Sequence, residues 1–200
     1  ATMQWVYQQN RRAQTSLLIN SQARLSTVKA ALRGMTAKAT TNDIMVMFFS
    51  GHGVPGGFVC YDGILDYGSI YSAMAACKSR NKMIFADACF AGAMRQNSNS
   101  GRRSGGVKKD SNVMLFLSCR SNEVSIENPR MTNGFFTYAL QHGLRGGADA
   151  NHDRVITAKE LFNYVSAKVS RESGNQQHPV MWGRFPNNMP VMDGDRTTLN

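Results

Sequence analysis

With 200 residues, 42% of them hydrophobic, the chain can bury one sizeable α/β core, and its length predicts a single domain over 1–200. No run approaches the roughly 18 apolar residues of a membrane span, and the polar opening Ala1 to Gln14 lacks the apolar stretch of a signal peptide; a soluble protein without membrane partners is expected, with the cytoplasm favoured. The net charge of +10 is uneven, because residues 1–42 hold Arg11, Arg12, Arg24, Lys29, Arg33 and Lys38 but no acid. Such a stretch can attract nucleic acid, yet no nucleic-acid-binding motif accompanies it, so a solvated basic face is the expected meaning.

In chain order, the pattern predicts a strand at Ser16 to Ile19 and a helix from about Leu25 to Arg33, with Ser21 or Ser26 as its cap. Ile44-Met45-Val46-Met47-Phe48-Phe49 and Met83-Ile84-Phe85-Ala86 are continuous apolar runs, the mark of strands buried on both faces of a parallel sheet. Between them, Tyr67 to Arg80 has helical spacing at Ile70, Met74 and Cys77. That is a βαβ unit, whose right-handed crossover makes the two strands parallel. A polar segment rich in Gly and Ser, residues 95–112, reads as a loop. A strand at Val113 to Leu117 and helices near Phe135 to Leu144 and Ala158 to Arg171 follow. The fold class is α/β.

Each strand of the βαβ unit runs into a short motif, Ser50-Gly51-His52-Gly53 and Asp87-Ala88-Cys89-Phe90-Ala91-Gly92. Parallel sheets place their active sites beyond the carboxyl ends of their strands, so His52 and Cys89 are candidates for a base and a nucleophile. A free thiol is only a few per cent thiolate at neutral pH, and an adjacent imidazole activates it. Gly53 keeps a main-chain N–H uncovered, and with the N–H of Cys89 it supplies two donors for the oxyanion of a tetrahedral intermediate. The chemistry is acyl transfer. Cys60, Cys77 and Cys119 read as small buried hydrophobes; the four cysteines have no zinc spacing, and unpaired thiols in a reducing compartment are expected. Asp87 has a second reading as a helix cap or an arginine partner.

These motifs, with Phe48-Phe49 before the first and Gly134-Phe135-Phe136-Thr137-Tyr138-Ala139-Leu140 further on, resemble the caspase-like cysteine peptidases, in particular the metacaspase and bacterial branch. Asp87 stands where animal caspases have glutamine before Ala-Cys. The resemblance implies a caspase-like three-layer sandwich with a mostly parallel central sheet flanked by helices. It also implies a large-subunit-like part at 1–94, a linker at 95–112 and a small-subunit-like part at 113–200. The family opens with a further strand and helix, so the amino-terminal strand is missing or divergent here. By resemblance Ser50 and Asp87 line a pocket for arginine or lysine before the scissile bond, Ser125 and Glu127 line the cleft, and the substrates are proteins or peptides. Subunit linkers in this family are often cut during maturation, and this one carries Arg102, Arg103, Lys108 and Lys109, which the resemblance makes targets for self-processing; the other reading is a solvated insertion.

From Asp149 to Glu160 the chain places oxygen side chains at positions 1, 3, 5, 9 and 12 of a twelve-residue loop: Asp149, Asn151, Asp153, Thr157 and Glu160. That is the EF-hand pattern for Ca2+, although Arg154 stands at position 6 where the turn wants glycine. The other reading is a helix entry with Thr157 and Glu160 as a capping box; Asp62 and Asp66 are alternative acidic positions for such an ion. Cysteine peptidase chemistry itself needs no cofactor. The rival to an enzyme is a non-catalytic caspase-like interaction or signalling module.

Overall fold

A computed structural model describes residues 13–89, 113–123, 125–126, 134–183 and 185–193. The linker expected at 95–112 lies outside them. Contacts divide the chain into two compact units, one of residues 18–124 and 180–185, the other of residues 1–17, 125–179 and 186–200.

The first unit is built on a four-stranded sheet in the order β1-β5-β6-β8, with β1 at Ile44–Ser50, β5 at Asn81–Asp87, β6 at Val113–Leu117 and β8 at Val180–Trp182. The first three strands run parallel and β8 antiparallel, a mostly parallel sheet as expected. β5 and β6 are the buried centre: Met83, Ile84, Phe85, Met114, Leu115 and Phe116 are all fully buried, which their unbroken apolar runs require. β1 has the same kind of run, yet among the described residues it is an edge strand and Ile44 is 48% exposed. One of its faces is covered locally, where Phe49 stacks on Phe58 with ring centroids 4.3 Å apart.

Helix α1 (Leu25–Lys38) and helix α2 (Tyr67–Ala76) flank this sheet, and Leu32, Tyr67, Ile70, Tyr71 and Met74 join Met45, Ile84, Leu115 and Leu117 in one core cluster. Burial pushes the phenol of Tyr67 up to about 12. Between β1 and α2 a small antiparallel sheet, β2 (Gly53–Val54), β3 (Gly57–Cys60) and β4 (Gly63–Asp66), occupies a stretch for which no strand is expected from the sequence. Its strands are too short to carry a readable alternation.

Three local expectations are corrected. Ser16 to Ile19 is not a strand but exposed irregular chain. Helix α1 runs on to Lys38 and is capped by neither Ser21 nor Ser26; Asp62, distant in sequence, accepts the Leu25 N–H at 2.7 Å and faces Arg24 at 3.2 Å. Helix α2 ends at Ala76 rather than Arg80, because the buried Lys82 donates Nζ to the Met74 and Cys77 carbonyls at 3.0 and 3.3 Å. A cation there satisfies the orphan carbonyls and opposes the helix dipole.

In the second unit, helix α3 (Phe135–His142) runs into a kinked turn at Gly143–Gly147, where Gly146 takes φ 108°. A Cβ at Gly143 would lie 2.9 Å from Leu161 Cδ1, so glycine is what lets this turn approach helix α4 (Ala158–Glu172). That helix buries Leu161, Val165 and Val169 on one stripe. Ahead of it β7 (Val155–Thr157) pairs antiparallel with β9 (Pro190–Asp193). Among the described residues no helix is long and apolar enough to cross a membrane.

Asp66 caps α2, its Oδ1 accepting the Ser69 N–H at 2.7 Å and its Oδ2 the Ser69 hydroxyl at 2.6 Å, bonds that hold its carboxyl below the ordinary value. A lowered folded pKa gives stability that is present above the unfolded pKa and lost as pH falls through the folded one. Asp66→Ala should therefore cost about 1 kcal/mol near neutrality. Urea unfolding measured against pH should show that difference closing as the medium becomes acidic.

Candidate active site

Because β1 and β5 are parallel and in register from Ile44↔Asn81 to Ser50↔Asp87, their carboxyl ends coincide. His52 and Cys89 each stand two residues beyond the last pair, and the Gly51 N–H donates to the Asp87 carbonyl at 3.1 Å across the junction. The His52 carbonyl accepts the Val59 N–H at 2.9 Å, and Gly53 pairs with Phe58, so the small sheet anchors the histidine's backbone while its side chain stays exposed. Gly53 is packed directly behind the nucleophile: a Cβ there would fall on the Cys89 carbonyl oxygen and 3.3 Å from the Ala88 Cβ. Cys89 itself is half-buried and unpaired in any disulfide, like the buried Cys60, Cys77 and Cys119.

The five residues Ser50, His52, Gly53, Asp87 and Cys89 thus share one sheet edge. Asp87 is 7% exposed and hydrogen-bonded or charge-paired, as a buried carboxylate must be; Ser50, its register partner, is exposed. Two residues that sequence reasoning passes over belong to the same edge. The Ser118 hydroxyl accepts the Ala88 N–H and donates to the Ala88 carbonyl, each at 3.2 Å, and Cys119 Sγ donates to that carbonyl at 3.4 Å. They follow the apolar run of β6 as His52 and Cys89 follow theirs, a position that carries no signature by itself. Reading Cys119 as a buried hydrophobe is right about its burial and misses this bond.

Ser125 belongs to the second unit, where the fully buried Gln177 faces it with Nε2 at 3.4 Å from Ser125 Oγ and accepts the Ile126 N–H at 2.9 Å. Glu127 lies outside the described residues. Between Asp149 and Glu160, Arg154 takes φ 67°, the left-handed conformation that favours glycine at the sixth position, and its N–H donates to Asp149 Oδ2 at 3.0 Å. Asp149 Oδ1 is buried without a hydrogen-bond partner. Asn151 and Asp153 bond each other at 2.9 Å. Glu160 forms the capping box with Thr157, whose hydroxyl, followed by backbone amides including those of Ala150 and Asn151, holds the Glu160 carboxyl below its ordinary value. Among the described residues no three His, Cys, Asp or Glu side chains converge as a metal-binding group. Asp62 and Asp66, the alternative acidic positions, are engaged as helix caps.

The arrangement is able to perform acyl transfer: an imidazole and a thiol on adjacent strand ends, with main-chain donors beside them. No curated protein matches the chain. Among solved structures it is similar to that of protein GSU0716 from Geobacter sulfurreducens, with a TM-score of 0.69 and 16% identity over 95% of this chain and 86% of the other, a likeness of fold. The family model described as a caspase domain matches residues 13–188, which takes in both strands, both motifs and the helices of the second unit. The chain therefore belongs to the caspase-domain family of peptidases and has the caspase-like α/β fold.

Proposed function

We propose that this chain is a cysteine endopeptidase that hydrolyses peptide bonds after arginine or lysine, with Cys89 as nucleophile and His52 as base and then acid. The observation that carries the reading is the common carboxyl end of β1 and β5, with Gly53 backed against Cys89. In this mechanism the thiolate sulfur attacks the scissile carbonyl carbon, and the π electrons move to the oxygen, which the N–H groups of Cys89 and Gly53 stabilise. As the carbonyl re-forms, the C–N bond breaks and the departing amine takes the proton from His52. Water, deprotonated by His52, then attacks the thioester; the acid leaves and the thiol is restored.

A buried carboxylate at Asp87 beside the exposed hydroxyl of Ser50 supports basic selectivity, because a substrate cation entering there meets a fixed and desolvated charge. Ser125 and Glu127 contact substrate in this reading by resemblance to the family. The same specificity makes the basic residues of segment 95–112 substrates, so the enzyme processes itself there.

Thiolate and imidazole act as a unit, so Cys89→Ala and His52→Ala should each remove nearly all hydrolysis of arginyl fluorogenic peptides, with the double variant little worse than either. In the same preparations the unmodified protein should slowly become two fragments with a new amino terminus between Gln96 and Ser111, while Cys89→Ala stays whole. Substantial turnover by His52→Ala would refute the dyad, and an inactive unmodified protein whose chain stays intact would favour a binding module. Asp87→Asn should lower kcat/KM for arginyl and lysyl substrates by roughly 10-fold or more while shifting the unfolding midpoint little; cleavage after aspartate by the unmodified protein would remove the pocket assignment.

Calcium is the second part of the reading. The buried, unpartnered Asp149 Oδ1 and the glycine-like turn at Arg154 support an ion bound by Asp149, Asn151, Asp153, Thr157 and Glu160, for which the carboxylates would have to turn inward, since they do not converge in this structure. It would staple the loop and take no part in hydrolysis, and the capping box, which already occupies Glu160, competes for the same carboxylate. Calorimetric titration should show weak binding that Asp149→Ala and Glu160→Ala abolish. Calcium at 100 times its dissociation constant should add about 2.7 kcal/mol to folding stability. Equal binding by all three proteins would place the ion elsewhere.

A further inference from the structure

We infer that Ser118 is a positioning residue for the oxyanion site: its hydroxyl, helped by the thiol of Cys119, fixes the peptide plane between Ala88 and Cys89 and so aims the Cys89 N–H. This inference rests on the proposed peptidase reading and adds a residue to it. The parallel ladder between β5 and β6 stops at Ala86↔Leu117, and the Ser118 N–H still donates to the Ala86 carbonyl at 2.9 Å. Beyond that point the strand of β5 must leave the sheet to present Cys89, and a side chain takes over the work of the ladder. The Ser118 hydroxyl accepts from the Ala88 N–H and donates to the Ala88 carbonyl, both at 3.2 Å. Cys119 Sγ reaches the same carbonyl at 3.4 Å and the Glu123 carbonyl at 3.3 Å. Ser118 and Cys119 are fully buried, and Ala88 is 1% exposed, so the clamp is out of reach of water.

The consequence follows from the planarity of the peptide. No peptide bond among the described residues is cis, so in the Ala88–Cys89 unit the C=O and the N–H point in opposite directions. Holding the carbonyl inward with the Ser118 hydroxyl, the single Cys119 thiol proton being shared between this carbonyl and that of Glu123, turns the Cys89 N–H away from the Ser118 side. A donor so fixed costs no reorganisation when negative charge develops, which is the condition under which an oxyanion site is effective. Gly53 packs on the next carbonyl, that of Cys89. The nucleophile's backbone is thus held at two successive carbonyls, one by hydrogen bonds and one by contact.

The test separates oxyanion alignment from thiol reactivity and from folding. A peptide aldehyde ending in arginine adds the Cys89 sulfur to its carbonyl carbon, the thiol proton ending on oxygen, and so needs the oxyanion site. Iodoacetamide alkylates the same sulfur by displacing iodide and does not. For Ser118→Ala, kcat on an arginyl fluorogenic peptide should fall roughly 10- to 100-fold, short of the loss on deleting an oxyanion donor outright, with KM changed less than about twofold. Aldehyde affinity should fall by a similar factor to kcat, while the iodoacetamide rate at Cys89 is unchanged and Ser118→Thr, which keeps a hydroxyl, restores most of the loss. Unchanged kcat and aldehyde affinity would overturn the inference, as would a parallel fall in alkylation, aldehyde binding and thermal midpoint. Should both Ser118 variants fail to fold, Cys119→Ala carries the test with a smaller loss of the same selective pattern, and undiminished aldehyde affinity in it would overturn the inference. An unmodified protein that neither hydrolyses the peptide nor binds the aldehyde would remove the peptidase reading and this inference together, an outcome distinct from an active parent indifferent to Ser118.

Discussion

The parallel pairing of β1 with β5 is the constraint on which the rest of this molecule depends. From Ile44↔Asn81 to Ser50↔Asp87 the two strands are held without a bulge, and the chemistry-bearing residues lie just past the last pair. Side chains alternate with period two, so a slip of one residue would turn every β1 side chain to the wrong face. It would also carry His52 along the sheet by about 3.3 Å relative to Cys89. The relative placement of His52 and Cys89 is thus first a matter of strand register.

The register is enforced from several directions. β5 is fully buried over most of its length, so it is fixed by packing before any pairing is considered. β1 is held by Phe49 stacking on Phe58, and Phe58 makes an edge contact with Tyr67 at 5.1 Å. The hairpin that carries Phe58 also receives the His52 carbonyl, and at its far turn Asp62 caps α1. The same short segment therefore closes the core, steadies the backbone of His52 and starts a helix. Because those three tasks share one segment, its glycines and aspartates are constrained more than its exposed Val59, Tyr61 and Ile64 suggest.

The parts of this design legible in the sequence are those written as long apolar runs. β5 and β6 are readable because strands at the centre of a parallel sheet need no alternation, β1 because it carries the same unbroken apolar run although it lies at the edge among the described residues, and the motifs stand out because they follow such runs. The helix ends were not readable in the same way. α1 is capped by Asp62 and α2 is stopped by Lys82, and both partners are distant or unordinary for the task, so no local pattern announces them. The strand expected at Ser16 to Ile19 rested on four residues, too few for a period to outweigh the absence of a neighbour. Ser118 was hidden for another reason. A serine after a buried strand carries no signature by itself, and only the ladder's end at Ala86↔Leu117 reveals what its hydroxyl replaces. The loop at 149–160 was legible as a spacing, while the division of Glu160 between cap and ion depends on hydrogen bonds that a spacing does not record.

Gly53 has a consequence for how relatives of this chain are to be told apart. Its place against the Cys89 carbonyl leaves no room for any side chain, whether or not the protein hydrolyses anything. A descendant that had given up catalysis would still need that glycine in order to fold this corner, whereas the exposed imidazole of His52 could drift to another residue at little structural cost. Across diverging sequences the glycine is then a marker of the architecture, and the histidine beside it is the marker of an enzyme still under selection for its chemistry.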